Sequence, residues 1–163
     1  MSWVCGTCGE PHEGQPTDAA FKLPDVVFAI PKDEREARAK FDSDFCMFEG
    51  RHFIRCVLAL PFAGTEGYFG YGAWAEVDRA TFDRYRDISF RDASPDPPGN
   101  GTIANRFSSY PKAYGSAVSI LFTATNERPM LSSTAPESEL FLDQANGLSA
   151  ERYHQLLVDE RLI

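Results

Sequence analysis

Two runs of β-forming residues, 45–49 and 52–60, stand either side of Gly50, and no other feature of the chain constrains its fold as much. Phe, Cys, Met, Ile, Val and Leu recur in them, and Glu49-Gly50-Arg51 carries turn chemistry, so the two runs read as a β-hairpin. A third strand fits residues 68–77, where Gly70 and Gly72 interrupt an aromatic run and point to a bulge or a close backbone approach. The hairpin register governs the chemistry of its side chains, because a slip of one residue sends each of them to the other face. A three-residue loop, Gly50-Arg51-His52, sets Cys46 opposite Cys56 on one face. A two-residue loop pairs Cys46 with Arg55 and turns Cys56 away. Cys56 shares its face with Ile54, Leu58 and Leu60, an apolar set that makes it a small core residue; Cys46, beside Phe48, reads the same way.

Helical signals fall around these strands. Pro31 suits the first turn of a helix through Lys40, almost wholly polar, which Asp42-Ser43-Asp44 ends. Asp78 can cap a helix to about Phe90, with Phe82, Tyr85 and Ile88 on its inner face. Residues 91–101, with Pro95, Pro97, Pro98, Gly99 and Gly101, form a loop. Strands fit 117–125 and 130–134, joined by a turn at 126–129. Leu140 and Phe141 anchor a short helix that Gly147 terminates, and Ser149 caps a last one that buries Tyr153, Leu156 and Leu157. The expected architecture is α+β, an antiparallel sheet with helices packed on it. It forms a single domain, 1–163, whose residues 1–30 are an irregular, Cys-containing segment folded onto the body.

Charge narrows the partners. The chain has a net charge of −8 and no lysine- or arginine-rich run, a field that repels nucleic acid and anionic membranes and favours a basic protein partner. The longest uncharged apolar stretch falls far short of the ~20 residues that span a bilayer. Met1-Ser2-Trp3-Val4 runs straight into a cysteine pair without a charged or apolar leader, so the expected location is the cytoplasm. In that reducing setting cysteines serve as metal ligands, reactive thiols or core residues rather than disulfides.

The pair itself is Cys5-Gly6-Thr7-Cys8-Gly9. Zinc takes four tetrahedral ligands, and Cys-x-x-Cys lets one turn supply two thiolates, with Gly9 bending the chain behind them. No second such pair exists, so the remaining ligands come from His12, Cys46, His52 or Cys56. The leading set is Cys5, Cys8, His12 and Cys46, with Cys56 as an alternative, a closed set that makes the zinc structural. A redox dithiol and plain structural cysteines stay open beside it. The redox reading lacks the helix that would lower a thiol pKa, because Gly9, Pro11 and Gly14 follow the pair.

Two further functional classes remain. An acidic, antitoxin-like module would bind a basic protein. A thiol- or zinc-dependent enzyme would set Arg55, unusual in mid-strand, near an anionic substrate. No nucleophile elbow, phosphate loop, GxGxxG or HExxH supports a named catalytic class.

Several of these residues together resemble the bacterial domain-of-unknown-function family 2199. The matching pieces are Cys5-x-x-Cys8-Gly9-x-x-His12-x-Gly14-x-Pro16, Ser43-Asp44-Phe45-Cys46 leading into Phe53-Ile54-Arg55, Gly72-x-Trp74, and Gln144-x-x-Gly147-Leu148-Ser149. The resemblance covers nearly the whole chain and implies no activity, because the family is defined without one. It supports Cys5, Cys8, His12, Cys46 and Arg55 as positions of the pattern, whereas at Cys56 the family tends to have glycine. Its members often carry His-Pro-Leu-Ala where this chain has Ser138-Glu139-Leu140-Phe141, so any role of that histidine is lacking here.

Overall fold

The computed structural model describes residues 16–88, 96–123 and 127–163 throughout, and the backbone alone of strands β1 (Ser2–Val4) and β2 (Pro11–Glu13). Along the chain follow β3 (Asp18–Ala20), α1 (Asp25–Phe28), α2 (Lys32–Arg38), β4 (Ala39–Phe41), β5 (Phe45–Phe48), β6 (Arg51–Pro61) and β7 (Tyr68–Val77). Then come α3 (Arg79–Asp87), β8 (Gly99–Ile103), β9 (Ala117–Leu121), β10 (Met130–Ser133), α4 (Glu139–Asn146) and α5 (Ala150–Asp159).

The expected hairpin forms, but in a register that neither sequence alternative anticipated. Glu49 and Gly50 both take left-handed backbone angles, φ 48° and 77°, which is what a two-residue type I′ turn demands. Phe48 therefore faces Arg51, and Cys46 faces Phe53. The next hairpin is longer. β6 and β7 pair antiparallel without interruption from His52↔Val77 to Pro61↔Tyr68. No bulge occurs at Gly70 or Gly72. They mark the close approach instead, since a Cβ on Gly72 would lie 3.1 Å from a guanidinium nitrogen of Arg55 and 3.4 Å from the Ala20 methyl.

The sheet is not the simple antiparallel one expected from the run of hairpins. β7 pairs with β8, β8 with β9 and β9 with β10, all antiparallel; β10 then returns to β6 in parallel and closes a five-stranded barrel. Closure removes two free edges, the exposed donors and acceptors that otherwise template aggregation. The parallel seam is short, with Met130 opposite Val57 and Leu131 opposite Leu58. Beyond it the Gln144 side chain does the bridging. Its Nε2 donates to the carbonyls of Ala59 at 3.1 Å and Leu131 at 3.0 Å, and its Oε1 accepts from the Ser133 amide at 2.8 Å. One side-chain amide thus stands in for a peptide unit between β6 and β10. Gly147, with φ 86°, ends α4 where a Cβ would meet the Ala63 backbone at 3.0 Å, and Leu148 then exchanges hydrogen bonds with Pro61 and Ala63.

Strand alternation builds two cores. Even-numbered residues of β6 (Ile54, Cys56, Leu58, Leu60) and odd-numbered ones of β7 (Phe69, Tyr71, Ala73, Ala75) fill the barrel, with Ile103, Val118, Ile120 and Leu131 from the other strands. Helices α3 and α5 pack on this core through Phe82, Tyr85, Tyr153, Leu156 and Leu157, as their spacing indicated. Their N-caps are Asp78 and Ser149, also as expected, and Ser138 caps α4. The opposite face of the same ribbon presents Phe53 and Trp74 to Leu23, Val27, Ile30, Ala39, Cys46, Phe48 and Ala104. This second core lies under α1.

The segment expected to be irregular up to residue 30 thus contributes a parallel edge strand, β3 on β7, and a helical turn. Buried Asn105 fastens that turn: its Nδ2 donates to the Leu23 carbonyl and to Asp25, and its Oδ1 accepts from the Trp74 amide. α2 stops at Arg38 rather than Lys40, because Ala39 turns extended and joins β4 to β5. Among the described residues no helix is long and apolar enough to cross a membrane.

Gln144→Ala strands the Ser133 amide and two carbonyls at the seam, so we expect a loss of about 3 kcal/mol. A urea midpoint essentially unchanged from the native chain would contradict the bridging role.

Candidate functional site

Because the β5–β6 turn holds two residues, Cys46 and Cys56 fall on opposite faces of the sheet. Cys56 lies in the barrel core and Cys46 in the core under α1, each fully buried. The arrangement in which they would work together is therefore corrected: β6 itself stands between them. Both thiols behave as packing groups. Burial pushes the Cys46 thiol from 9.0 up to about 12, with the Asp42 charge adding to it. Burial raises Cys56 further, and its thiol leans on the Ile54 carbonyl at 3.6 Å. His52 lies on the other face from Cys46, with its ring 5.1 Å from that of Phe82 on α3.

Cys5 and Cys8 lie outside the described residues. The strands that bracket them are described: β1 and β2 pair antiparallel with Val4 opposite Pro11 and Trp3 opposite His12. Cys5 and Cys8 thus occupy the connection between two paired strands, and His12 belongs to the returning one. Among the described residues no three His, Cys, Asp or Glu side chains gather as a metal would need.

Arg55 is the sequence-predicted position with the least ordinary surroundings. Its strand position points it to the outer wall of the barrel, opposite Trp74 in the β6–β7 register. The guanidinium carbon lies 5.9 Å from the Trp74 ring, and a terminal nitrogen hangs over Gly72. Other arginines, Arg51, Arg84, Arg128 and Arg152, each hold a carboxylate. The Arg55 side chain holds none among the described residues, and its Nε is buried without a hydrogen bond. Burial lowers its pKa from the ordinary arginine value, and the neighbouring Arg128 charge lowers it again, opposed by Asp44 and Cys56. The side chain stays charged all the same, since guanidinium does not deprotonate in proteins.

Two groups that sequence reasoning missed complete this corner. Asp44, read as part of a helix terminator and of a family motif but given no partner, accepts the Arg55 backbone amide at its carbonyl (2.9 Å) and the Arg128 Nε at its carboxylate (3.0 Å). Arg128, read only as part of a turn, precedes Pro129, whose carbonyl accepts from the Val57 amide. Asp44 comes to Arg55 with β5, which pairs with β6 from Phe45↔Ile54 onward, whereas Arg128 arrives only through the parallel return of β10 to β6.

A separate cavity of about 440 Å³ opens between the segment after Tyr110 and the start of α4, lined in part by Lys112, Ser116, Glu137, Ser138 and Leu140. Behind this cavity Tyr110 donates to Asp143 at 2.6 Å, and Arg152 donates to the same carboxylate oxygen at 3.0 Å. That pairing ties α4 and α5 to the loop.

The profile of a family described as an uncharacterized protein conserved in bacteria, DUF2199, matches residues 4–148. The chain belongs to that family. Neither a curated protein nor a solved structure matches this DUF2199 chain. The family match takes in Cys5, Cys8, His12, Arg55, Trp74 and Gln144, and leaves out Ser2 and Trp3 of β1, the Ser149 cap and α5.

Thiol chemistry tests this site directly. At about pH 8 neither Cys46 nor Cys56 should react with a disulfide reagent in the native chain, and both should react once it is denatured, because the thiolate is the reactive form. Between 9.0 and about 12 the folded chain keeps a Cys46 proton that the unfolded chain releases. Stability should therefore fall as pH rises through that window. Cys46→Ala should remove part of that fall, and rapid native-state labelling of Cys46 would contradict its burial.

Proposed function

We propose that this chain is a zinc-bearing barrel domain, with the metal held in the N-terminal hairpin by Cys5, Cys8, His12 and a fourth protein ligand, a closed set that serves structure rather than catalysis. The observation that carries the reading is the antiparallel pairing of β1 with β2, Val4 opposite Pro11. A turn closed by paired strands suits two thiolates three residues apart, and one imidazole on the returning strand adds a third ligand of the kind zinc prefers. Cys46 is the weaker candidate for the fourth place. Its thiol is packed among Val27, Phe48, Phe53 and Trp74, which disfavours the thiolate that a metal requires. The reading belongs to a reducing compartment, the cytoplasm, where such thiolates persist.

Elemental analysis of tag-free protein, paired with thiol titration before and after a chelator, tests it. We expect one zinc per chain, two thiols released by the chelator, and loss of the metal in Cys5→Ser or Cys8→Ser. Cys46→Ala should retain it. Metal-free protein in which Cys5 and Cys8 titrate freely would overturn the reading.

A basic protein partner is the second reading, favoured by the net charge of −8. Association with such a partner should weaken steeply between low and physiological salt, as the Debye length contracts from about 30 Å to 8 Å. Salt-independent behaviour in a binding titration would count against it.

A further inference from the structure

We propose that the cavity between residues 110–116 and the start of α4 binds a free amino acid with an apolar side chain. The inference does not rest on the zinc reading and concerns a different part of the chain.

At about 440 Å³ the cavity falls within the size range of small-ligand sites. Two segments bound it. One brings Tyr110, Lys112 and Ala113, and the other brings Glu137, Glu139 and Leu140. Tyr110, Ala113 and Leu140 are themselves buried in the fold, so the surface they lend to the cavity is held rigidly by the core behind it.

The polar groups of the lining divide into two kinds. Its hydroxyls are already engaged within the fold. Ser116 donates to the Ala113 carbonyl at 2.6 Å, and Ser138 donates to the Ala135 carbonyl at 2.8 Å while accepting from the Phe141 amide at 3.1 Å. The charged side chains are not engaged. Among the described residues the side chains of Lys112, Glu137 and Glu139 make no ion pair or hydrogen bond, although opposite charges line one cavity. Directly behind it, by contrast, Arg152 and Asp143 pair at 3.0 Å. The cavity thus keeps a cationic wall and an anionic wall apart, with space for a molecule between them.

Charge selects the occupant. The two glutamates repel an anion and Lys112 repels a cation, so a molecule with a single charge matches one wall and opposes the other. A zwitterion matches both. Its ammonium meets Glu137 and Glu139, and its carboxylate meets Lys112. The apolar surface of Tyr110, Ala113 and Leu140 then takes the side chain, whose burial adds affinity in proportion to its area.

The test uses the full chain labelled with nitrogen-15 and followed through its backbone amides. L-Phenylalanine, phenethylamine and 3-phenylpropionate are titrated separately at neutral pH and constant ionic strength. We expect phenylalanine to shift the amides of residues 110–116 and 135–140 saturably, and each single-charge analogue to bind about fivefold more weakly. Affinity for phenylalanine should fall about tenfold in the Glu137→Gln, Glu139→Gln double variant and about fivefold in Lys112→Met. All three positions are exposed, so these variants retain the fold, and the unshifted remainder of each spectrum verifies it. Either analogue binding as tightly as phenylalanine would overturn the zwitterion assignment. An absence of saturable shifts with phenylalanine, or an affinity unchanged in both variants, would overturn the site.

Discussion

The ribbon of β6 and β7 is paired without a break from Pro61↔Tyr68 to His52↔Val77, and its two faces both meet apolar partners. Side chains alternate across a strand, so a single pairing register decides which residues enter the barrel and which face outward. In the observed register Ile54, Cys56, Leu58 and Leu60 point into the barrel with Phe69, Tyr71, Ala73 and Ala75, while Phe53 and Trp74 face out to α1. A slip by one residue would exchange these sets and expose both cores at once. The type I′ turn at Glu49-Gly50 and the long β6–β7 ladder are therefore the constraints from which the rest of the packing follows.

Closing the barrel makes a separate demand. β10 meets β6 in parallel over a very short stretch, and parallel pairing is the less stable kind per residue. Gln144 compensates by offering donor and acceptor to both strands from a helix outside the sheet. Gly147 then lets the chain pass against Pro61 and Ala63 closely enough for Leu148 to bond there. The barrel end and the α4 terminus are thus one cooperative unit, which gives the Gln144-x-x-Gly147-Leu148 sequence a physical meaning that its composition does not reveal.

The chemistry divides along the same wall. Cys46 and Cys56 are drawn into separate apolar cores, where high thiol pKa values suit packing rather than reaction. The outer wall instead gathers Arg55, Arg128 and Asp44, and leaves Arg55 with hydrogen-bonding capacity that the described residues do not meet. Metal chemistry, on the reading proposed here, belongs to the N-terminal hairpin and not to the barrel.

The sequence by itself determined the local elements. The strands 52–60 and 68–77, the caps Asp78 and Ser149, the inward faces of α3 and α5, and the core role of Cys56 all follow from periodicity and capping, which depend on neighbours a few residues away. The family too was legible. Hairpin register was not, since Glu49 had to accept a left-handed angle that few non-glycine residues adopt. Nor was barrel closure, the second core under α1, or the approach of Arg128 to Arg55. Those depend on contacts between residues tens of positions apart, and such contacts are selected by the joint burial of surfaces that exist only once the sheet has curled. Tertiary structure alone decided them.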